Sequence, residues 1–232
     1  MTRRLAAEAL GTAFLLMAVV GSGIMGERLA GGNAAIALLA NTLATGAALT
    51  VLIAVFAPIS GAHFNPVVTL VSVLRGETNV AEGLAYAAVQ VASAIAGVWA
   101  AHLMFALPAF EVSAKLREGP GHILSEFVAT FGLMLTILGA RRAQVAALVG
   151  LYIAAAYWFT ASTSFANPAV TIARMLSDTF AGIAPSSALL FVPAQIAGGL
   201  CGWLAWTRLR AARPPACSPA RPPEPSPASA PS

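Results

Sequence analysis

Two Asn-Pro pairs carry the residues whose types and spacing point to chemistry. They stand in "SGAHFNPVVTL" and "SFANPAVTIAR" and comprise Asn65, Pro66 and Val67 in the first copy and Asn167, Pro168 and Ala169 in the second. Asn is a preferred helix N-cap and Pro is favoured at the first helical position, so each pair predicts the start of a helix. An Asn that caps through its side-chain oxygen keeps an NH2 group that can donate to a solute. The predicted chemistry is binding by hydrogen bonds. Because no catalytic, phosphate-binding or metal-binding motif accompanies the pairs, we expect no enzyme, no cofactor and no metal.

The composition places these pairs in an integral membrane protein. Apolar residues make up 58% of the chain and charged residues 9%, and the mean hydropathy is +0.79. A helical span needs about 20 apolar residues, and six stretches fit: residues 5–26, 34–56, 80–107, 122–139, 144–163 and 186–207. The first is too long for the apolar part of a signal peptide, so a retained helix is favoured over a cleaved leader. Polar and apolar residues do not alternate within these stretches, which favours helices over barrel strands.

The chain contains an internal repeat. "EALGTAFLL" is answered by "EFVATFGLM", and the matching positions are Glu8 and Glu126, Asn65 and Asn167, and Gln90 and Gln195. Each half therefore has three spans, with an Asn-Pro segment before the third. Because three is odd, the two halves must enter the membrane from opposite sides, which makes the repeat inverted.

The apolar stretch after each Asn-Pro pair is too short to span a membrane, so each predicts a half-helix. Irregular backbone at membrane depth is tolerated where it lines protein or water, so the two segments are expected to re-enter and line a pore. The predicted fold is an all-α membrane protein with six transmembrane helices, two re-entrant half-helices and an inverted 3+3 repeat. It covers residues 1–212, with repeats at about 5–107 and 122–207, while Pro, Ser and Ala predict a disordered tail over residues 213–232.

The distribution of basic residues predicts the orientation. Of the 13 Lys and Arg residues, nine fall at the two ends and in the second and fourth loops. The positive-inside rule then places both termini in the cytoplasm. The net charge of +4 is mostly this bias, and with no basic stripe interleaved with aromatic residues we expect a lipid bilayer and no nucleic acid as the partner.

These motifs resemble the aquaporin, or major intrinsic protein, family over the whole chain except the Pro-rich tail. The resemblance implies a homotetramer in the bacterial inner (plasma) membrane, with a pore in each subunit that conducts water or small uncharged solutes passively. It also implies that Glu8 and Glu126 hold the re-entrant loops through backbone N–H groups. His63 matches the family's cytoplasmic loop, where it either touches the pore mouth or only packs within the loop.

The resemblance also directs attention to the narrowest part of the pore. Most of the family has an Arg after the second Asn-Pro-Ala, and this chain has Val170. Counting back without gaps places Thr45, Ala155 and Ser164 at the other three constriction positions, a set without Arg, His or an aromatic ring. Because selectivity depends on pore diameter and lining groups, we expect a wide, neutral filter.

Such a filter predicts passage of glycerol-like polyols or of trihydroxides such as arsenous and antimonous acid. Val at this position resembles the bacterial aquaglyceroporins of arsenic-resistance operons. A general water and glycerol channel is the alternative within this class, and a secondary transporter is the alternative from another class, since transporters also use inverted repeats.

Arg174 is the only charged residue of the second half-helix, one turn beyond Val170 on nearly the same face. Two roles are open. It can extend to the lipid headgroups or pair with Asp178 at i,i+4, or it can line the outer vestibule of the pore as a displaced positive charge.

Overall fold

The computed structural model describes residues 1–211, which form eight helices and no strand. In chain order they are α1 (Thr2–Leu29), α2 (Ala34–Ser60), α3 (Pro66–Leu74), α4 (Val80–Met104), α5 (Pro120–Gly139), α6 (Val145–Phe159), α7 (Pro168–Arg174) and α8 (Pro185–Ala211). The predicted tail, residues 213–232, lies outside the described residues.

Helix lengths separate the membrane spans from the re-entrant segments. Five helices, α1, α2, α4, α5 and α8, are long and apolar enough to cross a membrane. A sixth apolar helix, α6, has 15 residues, which is about 22 Å, and it ends at Phe159 and not near residue 163 as expected. The helices α3 and α7, with 9 and 7 residues, are the two predicted half-helices. The all-α fold with its inverted repeat is confirmed.

Each repeat is held by close packing of its first helix on its last, α1 on α4 and α5 on α8. At Gly97 of α4, an added Cβ would lie 2.4 Å from the carbonyl oxygen of Ala13 in α1. At Gly198 of α8, it would lie 2.2 Å from the carbonyl oxygen of Phe127 in α5. Small residues allow such backbone contact between membrane helices. The two halves meet along α2 and α6, and around the half-helices.

Candidate functional site

The two half-helices begin with matching side-chain caps. The Asn65 side-chain oxygen accepts from the backbone N–H of Val67 at 2.9 Å, and that of Asn167 accepts from the N–H of Ala169 at 2.9 Å. Both Asn residues have extended backbone, and Pro follows each of them at the first helical position. The caps satisfy N–H groups that a helix start leaves without a partner.

The two caps are also joined to each other's loop. Asn65 Nδ2 donates to the carbonyl oxygen of Ala166 at 2.8 Å, and Asn167 Nδ2 donates to the carbonyl oxygen of Phe64 at 2.7 Å. The NH2 groups that were expected to donate to a solute are therefore partly used within the protein. Each amide uses one of its two N–H donors to bind the opposite loop, which leaves one donor for a solute.

A buried carboxylate organises the first loop. Glu8 is fully buried and accepts four hydrogen bonds, from Ser60 Oγ at 2.6 Å, the backbone N–H of His63 at 3.0 Å, the backbone N–H of Phe64 at 2.7 Å and Gln90 Nε2 at 2.9 Å. A carboxylate offers acceptors only, so four donors satisfy it without a positive partner.

Glu126 repeats this arrangement in the second half. It is fully buried and accepts from Ser162 Oγ at 2.5 Å, the backbone N–H groups of Phe165 and Ala166 at 2.9 Å each, and Gln195 Nε2 at 2.6 Å. The hydrogen bonds that the resemblance implied for both Glu residues are thus present in the structure.

These bonds hold backbone in an unfavourable conformation. Ala62 and Phe64 in the first loop have φ of 51° and 48°, and Ser164 and Ala166 in the second have φ of 50° and 49°. Each such non-glycine residue costs about 1–3 kcal/mol, so neighbouring interactions must stabilise it. The strain turns the carbonyl oxygens of Phe64 and Ala166 toward the opposite Asn side chains.

One cavity of about 300 Å³ runs past both Asn residues and is lined by α1, α2, α3, α5, α6, α7 and both loops. Three of the predicted filter residues, Thr45, Ser164 and Val170, lie on its wall. Ala155 does not, since its side chain is exposed on the outer surface of α6. The assignment of Ala155 to the filter was wrong.

Tyr157 occupies the wall in place of Ala155. It is 3% exposed and donates to Thr45 Oγ1 at 3.3 Å. The wall residues of α6 recur every four positions, as Val149, Ile153 and Tyr157. Ala155 is two residues away from Tyr157, and this shift turns its side chain by about 200° about the helix axis, to the opposite side of the helix. Counting without gaps failed because α6 ends early. Phe165 also lies on the wall, so the cavity carries two aromatic rings that the predicted set did not include.

Arg174 lies on the same wall, one helical turn beyond Val170. It is 2% exposed, its Nε donates to the carbonyl oxygen of Ala181, and its guanidinium carbon lies 3.5 Å from the centre of the Phe165 ring. Asp178 instead accepts from the Ser113 hydroxyl at 3.3 Å and from a backbone N–H. The structure thus contradicts both a headgroup contact and an Asp178 pair for Arg174.

The loop between α4 and α5 adds two cations that no sequence motif pointed to. Lys115 Nζ donates to the carbonyl oxygen of Phe180 at 3.0 Å, and Arg117 Nε donates to that of Gly182 at 2.9 Å. Burial, and then the charge of Arg117, lower the pKa of Lys115. Both cations are bound to the loop that follows α7, so that loop is fixed beside the cavity.

The other end of the cavity is lined by His63 and by three charged residues, Arg75, Glu77 and Arg142. His63 is half-buried, and its Nδ1 lies 3.1 Å from Thr69 Oγ1, a hydroxyl that also accepts from Gln90 Nε2. His63 is thus both on the wall and part of the hydrogen-bond network of the first loop. Among residues 1–211, no group of His, Cys, Asp and Glu has the geometry of a metal site.

The two half-helices start at the centre of an inverted repeat, beside a cavity that both halves line. This arrangement defines a membrane channel for small solutes. The model of the family described as "Major intrinsic protein" matches residues 1–147. The chain belongs to this family, and it is accordingly a multi-pass membrane channel and not an enzyme.

The most informative relatives are also channels. The chain is 54% identical to "Aquaglyceroporin AqpS" of Rhizobium meliloti (strain 1021) over 222 residues, which cover 92% of this chain and 93% of the relative. It is 29% identical to "Probable aquaporin TIP-type" of Medicago truncatula over 86% of this chain and 78% of the relative. The crystal structure of the aquaglyceroporin from Plasmodium falciparum superposes with a TM-score of 0.71 at 20% identity, covering 88% of this chain and 94% of the other.

Proposed function

We propose that the protein is a passive channel for small uncharged hydroxylated solutes, either glycerol-like polyols or trihydroxides of trivalent metalloids. The observation that carries the proposal is the pair of Asn65 and Asn167 side chains, each with one N–H donor left over, on a cavity wall that is otherwise mostly apolar. The similarity to a relative named as an aquaglyceroporin supports the same class of solute.

The cavity supplies the two kinds of contact that such a solute needs. A hydroxyl oxygen that loses water accepts a hydrogen bond from Asn65 or Asn167, while the carbon or metalloid side of the solute passes residues such as Leu49 and Ile153. Glycerol and arsenous acid both present three hydroxyl groups on a small neutral body. Val170 adds neither charge nor donors at its level of the wall, where the family usually has an Arg.

Cation exclusion in this proposal comes from the backbone. The positive ends of α3 and α7 both lie at the Asn residues, and each helix start carries about half a positive charge. A cation at this level would lose water and meet that potential, whereas a neutral solute would not.

We further propose that the protein is a homotetramer in the bacterial plasma membrane with both termini in the cytoplasm. Large apolar side chains are exposed along the spans, for example Leu43, Leu84 and Leu151, as expected of surfaces that meet lipid or another subunit. The excess of Arg at the ends of the chain supports the orientation.

The transporter alternative needs an ionisable group that can exchange protons or ions during transport. The buried carboxylates Glu8 and Glu126 each accept four hydrogen bonds from the protein, so neither is free for coupling. This observation favours a channel.

The test is stopped-flow permeability of proteoliposomes to glycerol, arsenous acid and water, measured side by side with empty liposomes as the control. We expect fluxes of glycerol and arsenous acid that rise linearly with concentration and do not respond to a proton gradient. Saturating flux driven by that gradient would indicate a transporter. Water flux without glycerol or arsenous acid flux would overturn the proposed solute class.

A further inference from the structure

We propose that Arg174 is the specificity-determining cation of the channel and that, with Ser164 and Tyr157, it forms a polar constriction one helical turn beyond Val170. This inference rests on the proposed function and names the residues that recognise the solute. Its ligand is a small neutral polyol, which can accept a hydrogen bond with one hydroxyl and donate with the next.

The guanidinium of Arg174 is held on two sides beside the cavity that this residue lines. Its Nε is bound to Ala181, and its plane is fixed over Phe165, whose ring packs edge to face on Phe191 with centroids 5.4 Å apart. In this proposal the two Nη atoms, which form no hydrogen bond within residues 1–211, donate into the cavity that the residue lines.

Ser164 supplies the second, independent observation. It is 3% exposed and lies on the cavity wall, and its hydroxyl has no hydrogen-bond partner within residues 1–211. A buried hydroxyl without a partner costs free energy, so a ligand that bonds to it gains affinity. Tyr157 and Thr45, joined at 3.3 Å, add two further hydroxyl groups on the same wall.

Other charged residues lie around this constriction. Arg117 also lies near the Phe165 ring, at 5.2 Å, and Lys115 is bound in the same region to Phe180. The carboxylates that act on these cations are Glu27, Glu126 and Asp178, and the last two are already bound by N–H and hydroxyl donors of the protein. Arg174 is the cation of this group that lines the cavity, so its charge repels cations at the entrance of the lumen. Arg174 thus supplies here the charge that Val170 lacks.

The test compares three Arg variants in proteoliposomes, with K⁺ leak and the ratio of erythritol to glycerol permeability as readouts. Arg174→Met keeps the length and packing of the side chain but removes its charge and donors, and Arg174→Lys keeps the charge. Arg28→Met is the matched control, since Arg28 also bonds a carbonyl oxygen, that of Phe105 at 3.1 Å, and stacks on an aromatic ring, but it is exposed and away from the cavity.

We expect Arg174→Met to raise K⁺ leak about tenfold at low ionic strength, with a smaller effect in high salt, and to raise the erythritol to glycerol ratio. Arg174→Lys should keep K⁺ leak at the level of the unmodified protein, and Arg28→Met should match that protein in both readouts. If Arg174→Met also matches the unmodified protein in both readouts while glycerol still passes, the inference is overturned. If the unmodified protein does not conduct glycerol, the proposed function itself fails.

A second variant covers the case in which Arg174→Met does not fold. Ser164→Ala removes the hydroxyl without a partner and changes little else, and it should lower glycerol permeability about threefold relative to water, the scale of one ordinary hydrogen bond. An unchanged ratio of glycerol to water permeability would show that Ser164 does not contact the solute, and it would overturn the proposed polar constriction.

Discussion

Glu126→Gln tests whether one buried carboxylate holds the second re-entrant loop in place. The carboxylate accepts two donors on each oxygen, Ser162 and Phe165 on Oε1, and Ala166 and Gln195 on Oε2. An amide offers one oxygen only. Whichever way the new side chain turns, its NH2 group faces a backbone N–H that then has no acceptor.

The expected cost follows from these contacts. Two charge-assisted hydrogen bonds are lost, at about 1.5–3 kcal/mol each. Rotation of the Ser162 hydroxyl or of the Gln195 amide recovers part of this, because Gln195 Oε1 is buried without a partner in the present structure. We therefore expect a loss of about 3 kcal/mol, near the low end of that sum. For a chain of this size the midpoint of thermal unfolding should fall by about 6–12 °C.

The strained backbone gives the same variant a functional consequence. Ser164 and Ala166 can relax from positive φ once the carboxylate is gone, and Ala166 then no longer presents its carbonyl oxygen to Asn65. Glycerol permeability in proteoliposomes should fall along with stability. The assays are thermal unfolding of the purified protein and stopped-flow flux, with Glu27→Gln, an exposed residue of α1, as the control. A melting temperature for Glu126→Gln equal to that of Glu27→Gln would refute the reasoning.

Three further variants test other parts of the structure. Val170→Arg should reduce glycerol flux more than water flux, because a second guanidinium would enter the lumen one turn from Arg174; equal loss of both fluxes in stopped-flow assays would argue against this. Replacing Asn65 and Asn167 together by Asp should raise K⁺ leak, since negative charge would sit where two positive helix ends meet; unchanged K⁺ conductance at normal membrane expression would count against the central barrier. Gly198→Ala should destabilise the protein by about 1–3 kcal/mol in thermal unfolding, because its Cβ would lie 2.2 Å from a backbone oxygen. Gly121→Ala, with no atom within 4 Å, is its control, and equal melting temperatures would contradict the packing argument.

The inverted repeat could be predicted because its determinants are local in sequence and occur twice. An Asn-Pro pair specifies a helix start wherever it stands, and an odd number of spans between its two copies fixes their opposite direction. The two half-helices are accordingly Pro66–Leu74 and Pro168–Arg174, each capped by the predicted Asn and begun by the predicted Pro. The bonds of Glu8 and Glu126 could not be derived from periodicity, and they were expected only through the resemblance to a family.

The wall of the filter was harder to predict because it depends on where a helix ends. Ala155 and Tyr157 are both in α6, and which of them faces the lumen depends on the length of the connection to Asn167. That connection, residues 160–166, begins at Thr160, whose hydroxyl donates to a carbonyl oxygen of α6, and it is held by Glu126, which accepts from Ser162. These contacts depend on the loop and on the tertiary structure. A spacing counted without gaps cannot include them, so it pointed to a residue on the opposite side of the helix.

The sequence left two roles open for Arg174, and the structure contradicts the first of them. An Arg four residues before an Asp on a helix predicts an ion pair, but α7 ends at Arg174, so Asp178 is no longer on the same helix. The chain then turns back, and the carbonyl oxygen of Ala181 takes the place of the carboxylate. A neutral acceptor leaves Arg174 beside the cavity without a carboxylate bound to it. An ion pair would have cancelled that charge, so the proposed positive potential on the path of the solute depends on the early end of α7.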